Sequence, residues 1–268
     1  MGELVFIGLG LFDEKDISLR GIEEARGADF VFVELYTSLL AGFSLNKLEN
    51  LIGKEIIPLT RRDLEDENGE ELIEKAETGR VAFLVPGDPL IATTHVALRI
   101  EAEKRGIKTK VVHSASIISA AIGLSGLQNY RFGRSVTIPF SDGDFISRTP
   151  YEVIAENRAR DLHTLCFLDI DAENGRYMRI NEALEILLSL EDEIRKKVIS
   201  AESLAVGVSR AGAEDPVVKA GAIKDLLTFD FGKPPHTLII PSEKLHFMEA
   251  EALRVLADAP KWVEELIK

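Results

Sequence analysis

The sequence predicts an α/β protein of two domains, and three observations support this prediction. Strand-like apolar runs alternate with helix-like segments through the first 115 residues, which indicates crossover connections and a mainly parallel N-terminal sheet. In the second half, strand-like runs follow one another across short turns, which favours a mixed or antiparallel C-terminal sheet. Residues 128–150 are richer in Gly, Pro and Ser. We therefore predict domains over 1–127 and 128–268, with the junction within 113–150.

The N-terminal domain is predicted to contain strands that each lead into a helix. The strands are predicted at 4–7, 29–33, 55–58, 81–85 and 108–112, and the helices at 17–27, 44–52, 68–78 and 93–105. Asp16 or Ser18 can cap the first helix, and Thr93 or Thr94 can cap the fourth. Gly106 follows the fourth helix, where a glycine commonly ends a helix.

An uncharged run of small and apolar residues, 114–127, follows the fifth strand. It predicts a helix that packs closely against a neighbour, with Ser114 or Ser116 at its start. Further strands are predicted at 163–170, 203–209, 217–220 and 236–241, and further helices within 142–161 and at 179–197 and 243–257.

The composition argues against several classes of protein. The chain has 45 acidic and 32 basic residues and a net charge of −13, whereas a general nucleic-acid binder carries a basic field. Cys166 is the single cysteine, so an intrachain disulfide and a cysteine metal cluster are excluded. We expect a small buried side chain there and a reducing, cytoplasmic compartment. No run reaches 18 consecutive apolar residues, so no membrane span is expected.

Two turns directly after predicted strands are candidate ligand sites. Gly8 and Gly10 follow the first strand, but the third glycine of a dinucleotide-binding fingerprint is replaced by Asp13. The strand at 81–85 runs into Pro86-Gly87-Asp88-Pro89, a stiff turn that carries one carboxylate. In open α/β sheets, ligands bind outside the carboxyl ends of the strands, so we expect a ligand at these turns.

Six stretches of the chain resemble the tetrapyrrole-methylase-like, or class III, methyltransferases. They are 5–10 (VFIGLG), 85–90 (VPGDPL), 234–237 (PPHT), 34–38 (ELYTS), 92–95 (ATTH) and 163–170 (HTLCFLDI). The resemblance extends from about residue 2 to residue 260, and the last three stretches are similar to the members that make diphthine. It implies a two-domain tetrapyrrole methylase-like fold with the cofactor in the cleft between the domains.

The same resemblance implies the activity. The cofactor would be S-adenosyl-L-methionine, released as S-adenosyl-L-homocysteine, with no metal. The substrate would be translation elongation factor 2, on which the amino group of a 3-amino-3-carboxypropyl histidine would be methylated repeatedly to give diphthine. Members that resemble this chain are homodimers, and neither nucleic acid nor membrane is an expected partner.

The family's cofactor contacts can be carried over by position. They fall on Leu11, Asp88, Ile91, Ser116, Ile117, Phe167, Ala211 and His236. An acid at a strand end can accept hydrogen bonds from ribose hydroxyls or an ammonium group, and apolar residues supply the pocket walls. We expect Leu11, Phe167 and Ala211 to act through main-chain groups or packing.

A methyltransferase acting on an amine must also remove a proton from it. Glu34, Tyr36 and His95 are the candidate proton acceptors, although desolvation beside a sulfonium can lower the pKa of an amine without a dedicated base. Taken alone, His95 and His113 are more simply explained as structural residues.

Two other functions compete with this interpretation. A methyltransferase of the same fold could act on a tetrapyrrole or corrin precursor, but a macrocycle with many carboxylates favours a basic cleft, and this chain is acidic. A non-enzymatic nucleotide-binding module is disfavoured by the missing third glycine and the missing P-loop.

Overall fold

The structure is a computed structural model that describes residues 2–141, 143 and 146–268. The chain divides into two compact units. The first runs from the N-terminus to Ile117 and includes Ala172–Asn174, and the second comprises Ile118–Asp171 and Gly175–Lys268. Residues 142, 144 and 145, which belong to the predicted junction and to the segment 142–161, lie outside the described residues.

The first unit contains a five-stranded parallel sheet with the order β3-β2-β4-β1-β5. Its strands are β1 (Glu3–Gly8), β2 (Phe30–Glu34), β3 (Ile57–Leu59), β4 (Arg80–Val85) and β5 (Lys108–Val112). Its helices are α1 (Leu19–Gly27), α2 (Leu45–Ile52), α3 (Glu70–Thr78) and α4 (Val96–Lys104). The predicted parallel sheet is confirmed.

Both faces of this sheet are buried. Successive side chains of a strand point to opposite faces, and along β1 Leu4 and Phe6 belong to one apolar cluster whereas Val5 and Ile7 belong to another. Such strands read as continuous apolar runs because helices cover both sides of a parallel sheet. The carboxyl ends of the strands therefore form the edge of the sheet where polar turns are placed.

The second unit contains a mixed five-stranded sheet with the order β11-β10-β12-β7-β6, antiparallel except for the β6–β7 pair. Its strands are β6 (Val136–Ile138), β7 (Thr164–Leu168), β10 (Leu204–Ser209), β11 (Val217–Ala222) and β12 (His236–Ile240), and a separate hairpin is formed by β8 (Ile170–Asp171) and β9 (Arg176–Tyr177). The helices that complete the chain are α5 (Ile117–Ser125), α6 (Thr149–Arg158), α7 (Ile180–Ile194), α8 (Ile223–Leu226) and α9 (Phe247–Leu256). The predicted mixed sheet is confirmed.

Cys166 lies on β7 inside the apolar core of this unit and is 0% exposed. Burial raises the pKa of its thiol to about 12, so the thiolate that reacts with electrophiles is suppressed. The predicted role as a small buried residue is confirmed.

Several element boundaries differ from the predictions for local reasons. The predicted helix at 93–105 begins only at Val96, because Ala92 has a φ of +56° and 92–95 form a turn. The predicted strand at 163–170 is split into β7 and β8. Ser18, rather than Asp16, caps α1 by accepting from the Gly21 N–H at 3.0 Å.

Neither a helix suited to crossing a membrane nor a metal-binding cluster occurs among the described residues. No helix among them is both long and apolar enough to cross a membrane. Within the same residues, no three His, Cys, Asp or Glu side chains are grouped so as to hold a metal ion.

Candidate active site

The turns that follow β4, β1 and β5 share one edge of the first unit's sheet, because these three parallel strands are neighbours. The turns after β1 and β4 are joined through their backbones. The Gly10 N–H donates to the Gly87 carbonyl at 3.2 Å, and the Gly87 N–H donates back to Gly10 at 2.7 Å. Gly10 and Gly87 have φ of +79° and +70°, a region that glycine enters without strain. The glycines therefore serve this close backbone approach.

Asp16 fixes the course of the turn after β1. Its Oδ2 accepts from the Leu11 N–H at 3.0 Å and from the Phe12 N–H at 2.8 Å. Its own carbonyl accepts from the Ser114 hydroxyl at 3.2 Å, which ties this turn to the segment after β5. Because the Leu11 N–H is used, the main-chain group that Leu11 can offer a ligand is its carbonyl.

Asp88 lies in the turn after β4 and is 7% exposed. Its Oδ1 accepts from the Leu90 N–H at 3.3 Å, and its Oδ2 lies 2.8 Å from His113 Nδ1. The His113 side chain is 73% exposed. This pair was not predicted from the sequence, where the available signal was that both residues follow strands which flank β1.

The remaining predicted contacts of the first unit follow Asp88 or His113 closely in sequence. Ile91 follows Asp88 in the same turn, and its side chain is 46% exposed despite being apolar. Its N–H donates to the Asp88 carbonyl at 3.3 Å. Ser116 and Ile117 are half-buried at the start of α5, just after His113. The structure thus places Leu11, Asp88, Ile91, Ser116 and Ile117 in the turns that follow β1, β4 and β5.

The three candidate proton acceptors are all buried. Glu34 ends β2 with 0% exposure, and its carboxyl accepts from the Tyr36 N–H, the Thr37 N–H and the Thr37 hydroxyl. Burial raises the pKa of the Glu34 carboxyl, and burial together with the Glu34 charge raises the pKa of Tyr36. His95 is 1% exposed, and burial lowers its pKa to about 4. Their assignment as proton acceptors stays a prediction.

The predicted contacts of the second unit lie on or beside the central strands of its sheet. Phe167 is half-buried on β7, between β12 and β6, so its side chain is the group that can contact a ligand. Ala211 lies in the turn after β10. Neither its N–H nor its carbonyl forms a hydrogen bond within the part of the chain that the structure describes. A free N–H donor and a free carbonyl acceptor on one residue can form hydrogen bonds with the edge of a planar heterocycle.

His236 begins β12 and is 7% exposed. Its Nδ1 accepts from the Ile180 N–H at 3.3 Å, so in the neutral ring the proton is on Nε2. Burial, together with the charges of Arg179 and Arg210, lowers the pKa of this histidine to about 4, which keeps the ring neutral.

His236 therefore presents a buried N–H donor. The carbonyls of Gly232 and Lys233 approach the ring, but its Nε2 has no partner in hydrogen-bonding geometry among the described residues. A buried donor without a partner costs about 1–3 kcal/mol, so a ligand acceptor at this position would be favoured.

Comparison with known proteins identifies the class to which this fold and these turns belong. The profile of the family described as Tetrapyrrole (Corrin/Porphyrin) Methylases matches residues 3–227. The chain belongs to this family of methylases.

Within that family, the similar proteins share one name. Diphthine synthase of Methanosarcina mazei is 50% identical over 270 residues, covering 99% of this chain and 100% of the relative. Diphthine synthase of Methanosarcina acetivorans is 51% identical over 267 residues, covering 98% of each chain. A crystal structure of diphthine synthase matches with a TM-score of 0.90 and 45% identity, covering 99% of this chain and 100% of its own. The chain groups with the diphthine synthases.

Proposed function

We propose that this protein methylates the amino group of the 3-amino-3-carboxypropyl histidine of translation elongation factor 2, and does so repeatedly to give diphthine. The observation that carries the proposal is about 50% identity over nearly the full length to proteins named diphthine synthase. The same relatives favour this function over the alternative, a methyltransferase acting on a tetrapyrrole or corrin precursor. A cytoplasmic location is proposed because the substrate is a translation factor.

S-adenosyl-L-methionine is the proposed cofactor, and its sulfonium supplies an electrophilic methyl group when it is bound. The residues present fit such a molecule on three counts. Asp88 offers a carboxylate for hydroxyl or ammonium donors, and the backbone of Ala211 has a free donor and a free acceptor within the described chain. His236 Nε2 is a buried donor that lacks a partner among the residues the structure describes.

We propose that the cofactor is held by Leu11, Asp88, Ile91, Ser116 and Ile117 of the first unit and by Phe167, Ala211 and His236 of the second. Ile91, Ile117 and Phe167 would supply apolar walls, which small-molecule pockets generally have. Lys and Arg are absent from the two glycine turns, and the proposed cofactor has no phosphate that would require them.

The chain's task in the reaction is to position a neutral amine. Holding two reactants in line can contribute up to ~7–11 kcal/mol to lowering the barrier, so positioning can supply much of the rate enhancement. An alkylammonium group has no lone pair, so it must lose a proton before each transfer. Removal of water from the site lowers the pKa of the ammonium and favours that loss.

The experiment that tests the proposal is methyl transfer to the intact protein substrate. The protein is incubated with S-adenosyl-L-methionine and elongation factor 2 that carries the aminocarboxypropyl histidine, and mass spectrometry counts methyl groups on that residue. Elongation factor 2 with the unmodified histidine is the control. We expect up to three methyl groups on the modified histidine and none on the control. Transfer to a tetrapyrrole precursor, with none to the elongation factor, would contradict the proposal.

We also propose, from the family resemblance, that the chain forms a homodimer. The subunit mass is 29.6 kDa, so sedimentation at micromolar concentration should show one species of about twice that mass. A single species of the subunit mass at these concentrations would contradict a stable dimer.

A further inference from the structure

His113 is an exposed imidazole attached to a buried carboxylate. Its Nδ1 lies 2.8 Å from Asp88 Oδ2, with the histidine side chain 73% exposed and the carboxylate 7% exposed. The other oxygen of Asp88 accepts from the Leu90 N–H. The carboxylate therefore accepts one hydrogen bond from its own turn and a second from His113, in the turn that follows β5.

This hydrogen bond determines the tautomer of the ring. An ionised carboxylate only accepts hydrogen bonds, so Nδ1 carries the proton and donates it to Asp88. The lone pair of the neutral ring is then on Nε2. In the described structure, Nε2 of His113 forms no hydrogen bond or ion pair. A carboxylate that orients a histidine in this way is a recurrent arrangement in general base catalysis.

The proposed reaction requires a proton acceptor in every round of methylation. The substrate ammonium has three protons, and each must leave before the corresponding transfer. In each round one N–H bond breaks and its electron pair stays on nitrogen, while the proton moves to a base. The amine lone pair then forms the N–C bond, and the pair of the broken S–C bond stays on sulfur, which becomes a neutral thioether. Three rounds release three protons and leave a trimethylammonium group.

We propose that Nε2 of His113 accepts these protons from the substrate amine and passes them to solvent, an inference that rests on the function proposed above. The position supports this role, because Asp88 and Ser116–Ile117, the partner and the near neighbours of His113, are proposed cofactor contacts. Exposure supports it too, because the imidazolium must lose its proton to water before the next round.

The three earlier candidates fit this role less well than His113. The Glu34 carboxyl already accepts hydrogen bonds at both oxygens, and it is fully buried. Tyr36 is a protonated phenol whose pKa is raised, and His95 is 1% exposed with its ring against Phe83 at 5.0 Å. None of the three presents an exposed acceptor atom in the described structure.

The test compares two variants of the full-length protein. His113→Asn retains an amide N–H close to the position of Nδ1, which can donate to Asp88, but it cannot accept a proton. His113→Ala removes the ring and leaves space for added imidazole. His246→Asn is the matched control, because His246 is the other exposed histidine and asparagine retains a helix-capping oxygen at the start of α9.

Turnover is measured at saturating S-adenosyl-L-methionine and modified elongation factor 2, and calorimetry measures cofactor affinity separately. We expect His113→Asn to lower kcat about 10²-fold or more, the usual contribution of a general base, with the cofactor Kd within about threefold of the wild-type value. We expect imidazole to restore part of the turnover of His113→Ala, and His246→Asn to match the wild type.

Three outcomes would overturn the inference. They are a His113→Asn variant that loses less than about tenfold in kcat, a cofactor Kd that rises in this variant by as much as kcat falls, and a failure of imidazole to restore any turnover. A wild-type protein that does not methylate the elongation factor would instead overturn the proposed function, so the two failures are distinguishable.

Discussion

Single residues connect the turns at the carboxyl edge of the first unit's sheet. Asp88 links the turn after β4 to His113, and Asp16 links the turn after β1 to Ser114. The Asp88 carboxylate accepts from the local Leu90 N–H and from the distant His113. The Asp16 carboxylate accepts from local N–H groups, and its backbone carbonyl accepts from the distant Ser114 hydroxyl. The geometry of the candidate site therefore depends on a few carboxylates held by short-range hydrogen bonds, each of which a conservative substitution can test.

Replacing Asp88 by Asn should weaken cofactor binding without unfolding the protein. The asparagine side chain keeps the shape of the aspartate but loses the negative charge, and a hydrogen bond to a charged group contributes about 1.5–3 kcal/mol. We expect about a 10- to 100-fold increase in the Kd of S-adenosyl-L-homocysteine by titration calorimetry. Glu71→Gln, an exposed acid on α3, is the control. An unchanged Kd in Asp88→Asn would remove this residue from the proposed site.

His95 should make the stability of the protein depend on pH. Its folded-state pKa is about 4, below the value of about 6.5 expected in the unfolded chain. Between these values the unfolded chain binds the proton and the folded chain does not. The contribution of His95 to the free energy of unfolding is therefore complete above pH 6.5. It decreases by about 3 kcal/mol as the pH falls to 4.

Urea titrations of His95→Phe between pH 4 and 7 check this sign. The variant should lose less of its free energy of unfolding than the wild type as the pH falls through this range. Parallel slopes for the wild type and His95→Phe would show that the buried imidazole does not titrate as described.

At the residue scale, sequence reasoning located the turns but not their internal contacts. Asp88 was predictable because it lies in the stiff turn that follows an apolar strand. The Asp88–His113 pair was not, because it depends on β4 and β5 lying on either side of β1. The contacts of Asp16 with the turn after β1 were missed because its position before a helix made it resemble a cap.

At the scale of elements, α9 is held to the second unit by a buried charge network. Glu249 on α9 is 0% exposed and accepts from the Gln128 and His246 N–H groups, from His163 and from Arg131. Burial alone would raise its pKa, but the hydrogen bonds from His163 and the backbone outweigh it and lower the pKa to about 2. The carboxylate therefore stays ionised at neutral pH despite its burial.

Glu249→Gln should destabilise the protein by about 3–5 kcal/mol, because it removes the ionic partner of the Arg131 guanidinium and the charged acceptor of the buried His163 Nε2–H. Chemical denaturation measures this loss, and hydrogen exchange should show faster opening of α9. Glu251→Gln, an exposed acid on the same helix, should change stability by less than about 0.5 kcal/mol. Equal stability of the two variants would show that the network does not anchor the helix.

The strands and helices that carry strong periodicity were predictable, and the short ones were not. The five strands of the first sheet appear as apolar runs because both faces are buried. In contrast, β6 has three residues and β8 and β9 have two each, which is too few for a hydrophobic pattern to be recognised. The delayed start of α4 was unpredictable because Thr93 and Thr94 resemble caps, whereas the chain still turns through them.

At the scale of the whole molecule, the proposed cofactor contacts are divided between two units that have separate cores. A ligand that binds only the folded chain stabilises it by about 2.7 kcal/mol at a concentration of 100 Kd. S-adenosyl-L-homocysteine should therefore raise the Tm of the wild type in a scanning fluorimetry titration. Asp88→Asn should need a higher ligand concentration for the same shift. A wild-type Tm that does not respond to the ligand would contradict cofactor binding.

A crystal structure of the protein with S-adenosyl-L-homocysteine tests the proposed cofactor contacts most directly. We predict ligand density in contact with the Asp88 carboxylate and the Leu11 carbonyl in the first unit, and with the Ala211 backbone and His236 Nε2 in the second. A ligand bound away from these residues, in crystals soaked well above its Kd, would contradict the proposed cofactor site.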